Sequence, residues 1–281
     1  MLKRFFSSGA RLAGTLPYWR NASPYNHATK TSKKAGAKMA QEYLIKSLTA
    51  RVYEVAYDTP LVKAHSLSAL SNNNVYLKRE DTQPCFSFKI RGAYNKIASL
   101  TPTQLEKGIV TCSAGNHAQG VAMSALKLSI NATIVMPLAT PTIKVEAVRR
   151  FGGAFTNVVL YGKNYDEASA EANRLVIEEG RTMVHPFDDP LVIAGQSTIG
   201  KEILQSLGTP GPHTIFVCVG GGGLLAGIAV YVKAVNPDVR IIGVEAADAA
   251  GMTESLNANK VVTLPKIGLF AGWSVYECMS V

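Results

Sequence analysis

The sequence predicts an α/β fold built on parallel sheets, and three observations predict it. Short apolar, β-rich runs alternate with stretches of helical period, which is the order βαβ units require. The strand candidates read as nearly unbroken apolar runs, as in sheets covered on both faces, rather than as strict apolar–polar alternation. Two of them end in small-residue loops that open a helix, at Ser113–His117 and at Gly220–Gly223. Ligands of open α/β sheets sit outside the carboxyl ends of the strands, so these loops are where a site is expected.

Taken in order, the first strand is expected at Val75–Leu77, and a helix over Lys89–Ser99 follows it. Ile109–Cys112 and Ala132–Met136 are β-rich strands separated by a helix over Asn116–Leu128. Ile143–Phe151 and Tyr165–Glu179 carry apolar residues at helical spacing and bracket a strand at Val158–Tyr161. A strand at Thr182–His185 leads into a helix over Val192–Leu207. Pro210-Gly211-Pro212 then breaks the chain. Thr214–Val219 and Arg240–Glu245 are the last strands, with a helix over Leu224–Ala234 between them.

At 281 residues the chain can bury a sizeable core and hold one large domain or two small ones. With 47% hydrophobic and 17% charged residues its composition is globular. No apolar run approaches the roughly 20 residues of a membrane span, so no membrane partner is expected. Cys85, Cys112, Cys218 and Cys278 form no CxxC pair, which speaks against zinc or redox chemistry and fits a reducing compartment.

The formal net charge of +9 suggests nucleic acid until its distribution is read. Lys3, Arg4, Arg11, Arg20, Lys30, Lys33, Lys34 and Lys38 all precede the first acid, Glu42. The rest of the chain is almost neutral, so no nucleic-acid partner is expected. Residues 1–41 are rich in Arg, Ser and Ala, and Leu2, Phe5, Phe6, Leu12 and Leu16 fall roughly on one helical face. This is the composition of a mitochondrial transit peptide, with a plain disordered basic tail as the alternative.

Three segments can carry chemistry. A strand, then Gly220-Gly221-Gly222-Gly223, then Leu224 opening a helix, lets backbone N–H groups close on a phosphate at the positive helix end. The Lys-Ser/Thr ending of a P-loop and the dinucleotide glycine spacing are both missing. Lys89 stands at a predicted helix start. Phe86 and Phe88 could desolvate its amine and Arg91 could add repulsion, both lowering its pKa and suiting a base or imine-forming amine. Ser113, Ala114, Gly115, Asn116 and His117 offer hydroxyl, amide and backbone donors at another helix start, suited to a small carboxylate, although Ser113 or Asn116 could instead only cap the helix. His117 and His185 read as structural. An amine that forms imines together with a backbone phosphate cradle is what pyridoxal phosphate chemistry needs.

Four motifs in order carry a resemblance: Ser87-Phe88-Lys89-Ile90-Arg91-Gly92-Ala93, Ser113-Ala114-Gly115-Asn116-His117-Ala118-Gln119-Gly120, His185-Pro186-Phe187-Asp188-Asp189-Pro190 and Gly220-Gly221-Gly222-Gly223-Leu224. Over about residues 50–270 they resemble the threonine dehydratase family of fold-type II pyridoxal 5'-phosphate enzymes, the tryptophan synthase β-like class, and its mitochondrial biosynthetic form. The resemblance implies two parallel-sheet subdomains in residues 42–281 with the cofactor between them, the smaller one, about 86–185, inserted in the larger. It implies that Lys89 holds the cofactor as an imine and later removes the α-proton. Phe88 would pack on the ring, Asn116 would bond the ring oxygen, and Gly220 through Leu224 would bind the phosphate. Ser113, Ala114, Gly115, Asn116 and His117 would grip the substrate carboxylate. The reaction implied is dehydration and deamination of L-threonine, with L-serine as a second candidate, to 2-oxobutanoate and ammonia, the first step toward isoleucine. A mitochondrial matrix location and a homo-oligomer at full length are implied as well.

Departures from the family pattern shape three further expectations. Serine racemase relatives carry a serine where Ala114 stands, so Ala114 argues for elimination over racemisation. Those relatives bind a divalent metal through acids beyond the strand ending at Glu245; Gly251 replaces one of them, so no metal is expected. Ser197 replaces a usual glycine. The likeness ends at Gly272, short of the serine that faces the pyridine nitrogen and of an isoleucine-sensing domain. An incomplete, catalytically dead fragment therefore stands as the alternative to an active lyase, beside a serine dehydratase or racemase.

Overall fold

The computed structural model describes residues 41–265 and 268. The expected transit segment, and the end of the family likeness at Gly272, lie outside the described residues. A helical segment over 41–48 leads in. It is followed by β1 (Leu61–Lys63), α1 (His65–Ser71), β2 (Tyr76–Lys78), α2 (Lys89–Ile97), α3 (Pro102–Lys107), β3 (Ile109–Cys112), α4 (Asn116–Leu128) and β4 (Ala132–Met136). Then come α5 (Thr142–Gly152), β5 (Thr156–Leu160), α6 (Tyr165–Glu179), β6 (Thr182–Met183), α7 (Pro190–Leu207), β7 (Thr214–Cys218), α8 (Gly223–Val235), β8 (Arg240–Val244) and α9 (Gly251–Ala258).

The parallel sheet that the alternation predicts is present. Its order is β5-β4-β3-β6, with Ile109 opposite both Ala132 and Thr182, and Ala132 opposite Thr156. All residues of β3 and β4 are buried, because helices cover both faces. On one face Ile109, Ile134 and Met136 meet Ala118, Val121 and Ala125 of α4 and Val145 and Val148 of α5. On the other, Val110, Cys112 and Val135 meet Ala168, Ala172 and Leu175 of α6.

Two expectations about the strands need correction. The strand near Tyr76 is not part of a parallel sheet: β1 and β2 pair antiparallel, Val62 opposite Leu77. And continuous burial does not extend to β7 and β8. These pair in parallel, Thr214 opposite Arg240, with Ile215 and Val217 in a core shared with α7 and α8. Phe216 and Cys218 alternate with them and are exposed. Only one face of this pair is covered among the described residues.

Helix boundaries follow local chemistry. Asn164 caps α6 through Glu167 N–H, and left-handed Gly180 ends it. Asp189 caps α7, accepting from Leu191 and Val192 N–H, with Pro190 as the first helical residue. α7 packs against both α2 and α8. It therefore ties the helix that begins at Lys89 to the helix that follows the glycine loop.

Candidate active site

Lys89 is the first residue of α2. The residue as a whole is half-buried, but its amine is closely packed round and donates to the Pro186 carbonyl at 2.7 Å. Desolvation lowers its pKa from 10.5 to about 8, with Cys218 acting in the opposite direction. The amine lies 5.5 Å from the centroid of the Phe88 ring, which itself packs on the α7–α8 core.

Its other expected neighbours act differently. Phe86 does not desolvate Lys89: it is 69% exposed and adopts a left-handed backbone, φ 58°. Nor does Arg91 repel the amine. Arg91 is fully buried and neutralised by Glu80 at 2.8 Å and by Glu202, with Thr198 Oγ1 at 3.0 Å and the Tyr57 carbonyl at 2.9 Å completing its bonds. Burial alone would lower the Arg91 pKa. The hydrogen bonds and charges of the two carboxylates outweigh burial and raise it.

The loop after β3 places Ser113 through Gly115 at the amino end of α4. Gly115 is the N-cap residue and offers no side-chain cap, while Ser113 Oγ accepts from Gly115 N–H at 3.3 Å. The first N–H groups of α4 are thus left for a ligand or water, so neither Ser113 nor Asn116 acts as the cap. Asn116 is exposed at this end. Ala114 is buried in the core beneath α4 and presents no polar group.

The His117 ring is not available to a carboxylate. It is buried, its Nε2 bonds the Val184 carbonyl at 2.8 Å, and its Nδ1 has no partner. Desolvation, then the Lys89 charge, lowers its pKa to about 3, so the ring is neutral. Only the backbone N–H of His117 can serve the role expected of this residue.

The second loop follows β7. Gly222 is the N-cap of α8 with φ 92°, a conformation that favours glycine. Gly223 and Leu224 open the helix, and the first bond back to the cap is Ala226 N–H to the Gly222 carbonyl, at 2.9 Å. The preceding N–H groups have no intrahelical acceptor and form an anion cup at the positive helix end. Gly220 is exposed, and a Cβ there would meet nothing within 4 Å. The Leu224 side chain packs into the α7–α8 core and fixes the helix start.

The two loops and Lys89 are linked by a segment whose roles the sequence did not reveal. Pro186 holds the Lys89 amine, and Phe187 lies against Gly221 and Gly223. A backbone carbonyl leaves no trace in residue identity. The His185-Pro186-Phe187 motif was visible only as a likeness. His185 lies beyond β6, not within it, because the strand stops at Met183.

Glu245, at the end of β8, accepts from Met252 N–H (2.9 Å), Thr253 N–H (2.9 Å) and Thr253 Oγ1 (2.6 Å). Its carboxylate thus seals the first turn of α9. Among the described residues no cluster of three metal-ligating side chains occurs.

An imine-competent amine beside a cup of free N–H groups fits pyridoxal phosphate. The pyridoxal-phosphate dependent enzyme family matches residues 52–272. The chain belongs to this family. It is 55% identical over 233 residues to the biosynthetic L-threonine dehydratase IlvA of Burkholderia multivorans, covering 83% of this chain and 46% of that protein. It is 54% identical over 230 residues to the mitochondrial threonine dehydratase of Schizosaccharomyces pombe, covering 82% of this chain and 38% of that one. Among solved structures, the processed form of threonine deaminase isoform 2 from Solanum lycopersicum superposes with a TM-score of 0.82 at 47% identity. That match covers 86% of this chain and 66% of the other. The fold is thus that of the fold-type II pyridoxal phosphate enzymes. The chain spans less than half the length of the two curated relatives.

Proposed function

We propose that this chain carries the catalytic site of a threonine dehydratase, which converts L-threonine to 2-oxobutanoate and ammonia and serves isoleucine synthesis. The observation that carries the reading is the Lys89 amine, desolvated to a pKa of about 8 beside a neutral carbonyl. An ordinary surface lysine is almost wholly protonated near neutrality. Lys89 has a usable neutral fraction, as a base or an imine-forming amine needs. Names of relatives at 54–55% identity supply the substrate class.

Pyridoxal phosphate, when bound, supplies an electron sink for the bonds at the substrate α-carbon. The chain's own residues do the rest. Lys89 would hold the cofactor covalently, and once the substrate's own amine has displaced it, the freed Lys89 amine would take the α-proton. Gly220 through Leu224 bind the phosphate through backbone N–H groups. Phe88 would line the ring site, and Asn116, exposed at the start of α4, would donate to the ring oxygen. Ser113 and the N–H groups of Asn116 and His117, with Gly115 as the helix N-cap, would orient the substrate carboxylate at a helix N-terminus. Ala114 supplies no hydroxyl for reprotonation of the opposite face, which favours elimination over racemisation.

In this reading the segment of about 86–185 forms the smaller of two subdomains, and the protein works in the mitochondrial matrix. The basic, acid-free composition of residues 1–41 and the mitochondrial name of the fission-yeast relative support that location.

The test is product analysis. Purified protein with pyridoxal phosphate and L-threonine should form 2-oxobutanoate and ammonia in equal amounts, and L-serine should give pyruvate more slowly. Conversion of L-serine to D-serine without 2-oxo acid would overturn the assignment.

A further inference from the structure

Between β6 and α7 the chain forms a short strap, anchored at both ends. At one end the Val184 carbonyl accepts from Thr111 Oγ1 at 2.9 Å and bonds His117 Nε2 at 2.8 Å. At the other, Asp189 caps α7 through Leu191 N–H at 2.8 Å and pairs with Lys96 of α2 at 2.7 Å. Between the anchors His185 Nδ1 accepts from Asp188 N–H at 2.8 Å and Phe187 N–H at 3.3 Å, which fixes the turn. The His185 ring meets the Phe187 ring edge-on, with centroids 4.7 Å apart and planes at 84°.

This strap presents two groups to the site. The Pro186 carbonyl holds the Lys89 amine. Phe187 fills the flank of the glycine loop: a Cβ on Gly221 would stand 2.3 to 2.5 Å from three of its ring atoms, and one on Gly223 would stand 2.7 Å from its carbonyl oxygen. A Cβ on Gly220 would meet nothing within 4 Å. Two of the loop's glycines are therefore required by Phe187 itself, before any ligand is considered. Gly220 has no such requirement.

We propose that Phe187 is a positioning residue for the phosphate cup. The anchored strap holds its ring against Gly221 and its backbone against Gly223, and so sets the loop's N–H groups relative to the Lys89 amine. The inference rests on the reading of this loop as the phosphate site. Phe187 acts by denying the loop the space into which it would otherwise relax.

The experiment measures binding of pyridoxal phosphate, and of pyridoxal, which lacks the phosphate, by absorbance titration of the cofactor-free protein. Five variants are compared with the parent: Phe187→Ala, Phe187→Leu, Gly220→Val, Gly221→Ala and Gly221→Ala/Phe187→Ala. Phe187→Ala should weaken pyridoxal phosphate about tenfold, the scale of losing one charge-assisted hydrogen bond, and leave pyridoxal unchanged. Phe187→Leu, which keeps an apolar plug, should show a smaller loss of the same kind and carries the test if Phe187→Ala does not fold. The double variant should lose no more than Gly221→Ala alone, since removing the ring gives the new Cβ room. Gly220→Val should weaken pyridoxal phosphate whether or not Phe187 positions the loop. Equal losses for pyridoxal and pyridoxal phosphate would show a general packing role and overturn the proposal. So would an unchanged Phe187→Ala beside a weakened Gly220→Val. If neither variant changes binding, the underlying phosphate-site reading fails instead.

Discussion

Lys89 and Arg91 stand two positions apart on α2, and both carry their cationic group away from water. Arg91 ends between the carboxylates of Glu80 and Glu202, while Lys89 ends at the neutral carbonyl of Pro186. The same loss of hydration acts on both. For Arg91 the paired charges reverse its effect, and the guanidinium is held permanently charged. For Lys89 desolvation dominates, and the pKa falls to about 8. Burial alone therefore does not decide what a cation becomes; the partner does. One helix start carries a structural ion and, a half-turn away, an amine able to lose its proton.

Replacing each residue should break this comparison in opposite ways. Lys89→Ala should abolish the cofactor's imine absorbance band and all turnover while leaving the fold intact, because only a primary amine forms an imine; Lys89→Arg should do the same. Retained ammonia release in either variant would contradict the role. Arg91→Met should instead strand Glu80 and Glu202 with fewer partners and lower unfolding stability by about 3–5 kcal/mol, the scale of breaking a buried pair. Urea denaturation of the parent and variant reads this directly.

The sign of the Lys89 shift gives a pH signature. Its amine prefers the neutral form when folded, so between pH 8 and 10.5 the unfolded chain binds more protons and stability of the cofactor-free protein rises with pH. Below pH 8 both states are protonated and this contribution is absent. The rise should be on the order of 3 kcal/mol, and Lys89→Met should flatten it. An unchanged slope in that variant would mean that another group titrates there.

Two smaller effects sharpen the picture away from the lysine. Gly221→Val should weaken pyridoxal phosphate by at least about 2 kcal/mol, through the obstructed N–H cup and through collision with Phe187. Cofactor titration checks it. Glu245→Ala should remove the acceptor at the first turn of α9 and cost about 1 kcal/mol of stability without changing the Lys89 pKa.

Much of this arrangement was legible from residue order. The bounds of α4, α6, β3 and β4 coincide with the expected ones because strong local signals mark their ends, such as Asn164 and Gly180 around α6. Lys89 and the glycine loop were also readable, since an amine and a glycine run each suggest one chemistry by type alone. The short elements were missed. β1 has three residues, and α1 has seven with none buried, too few for a period to show. α3 carries a capping box at Thr101 and Gln104 but only six residues. The pairing of Arg91 with Glu202, 111 positions apart, has no sequence signal, and its absence from the reading led to the expectation of repulsion. The Pro186 carbonyl and the Phe187 ring stayed hidden for the same reason: their roles come from where the chain passes.

The central claim is that Lys89 is the amine that holds the cofactor. Incubating the protein with pyridoxal phosphate, reducing with borohydride and mapping the adduct by peptide mass spectrometry tests it in one step. The account predicts a single phosphopyridoxyl group on the peptide containing Lys89, lost in Lys89→Ala. A stoichiometric adduct on any other lysine, or an undiminished adduct in Lys89→Ala, would contradict it.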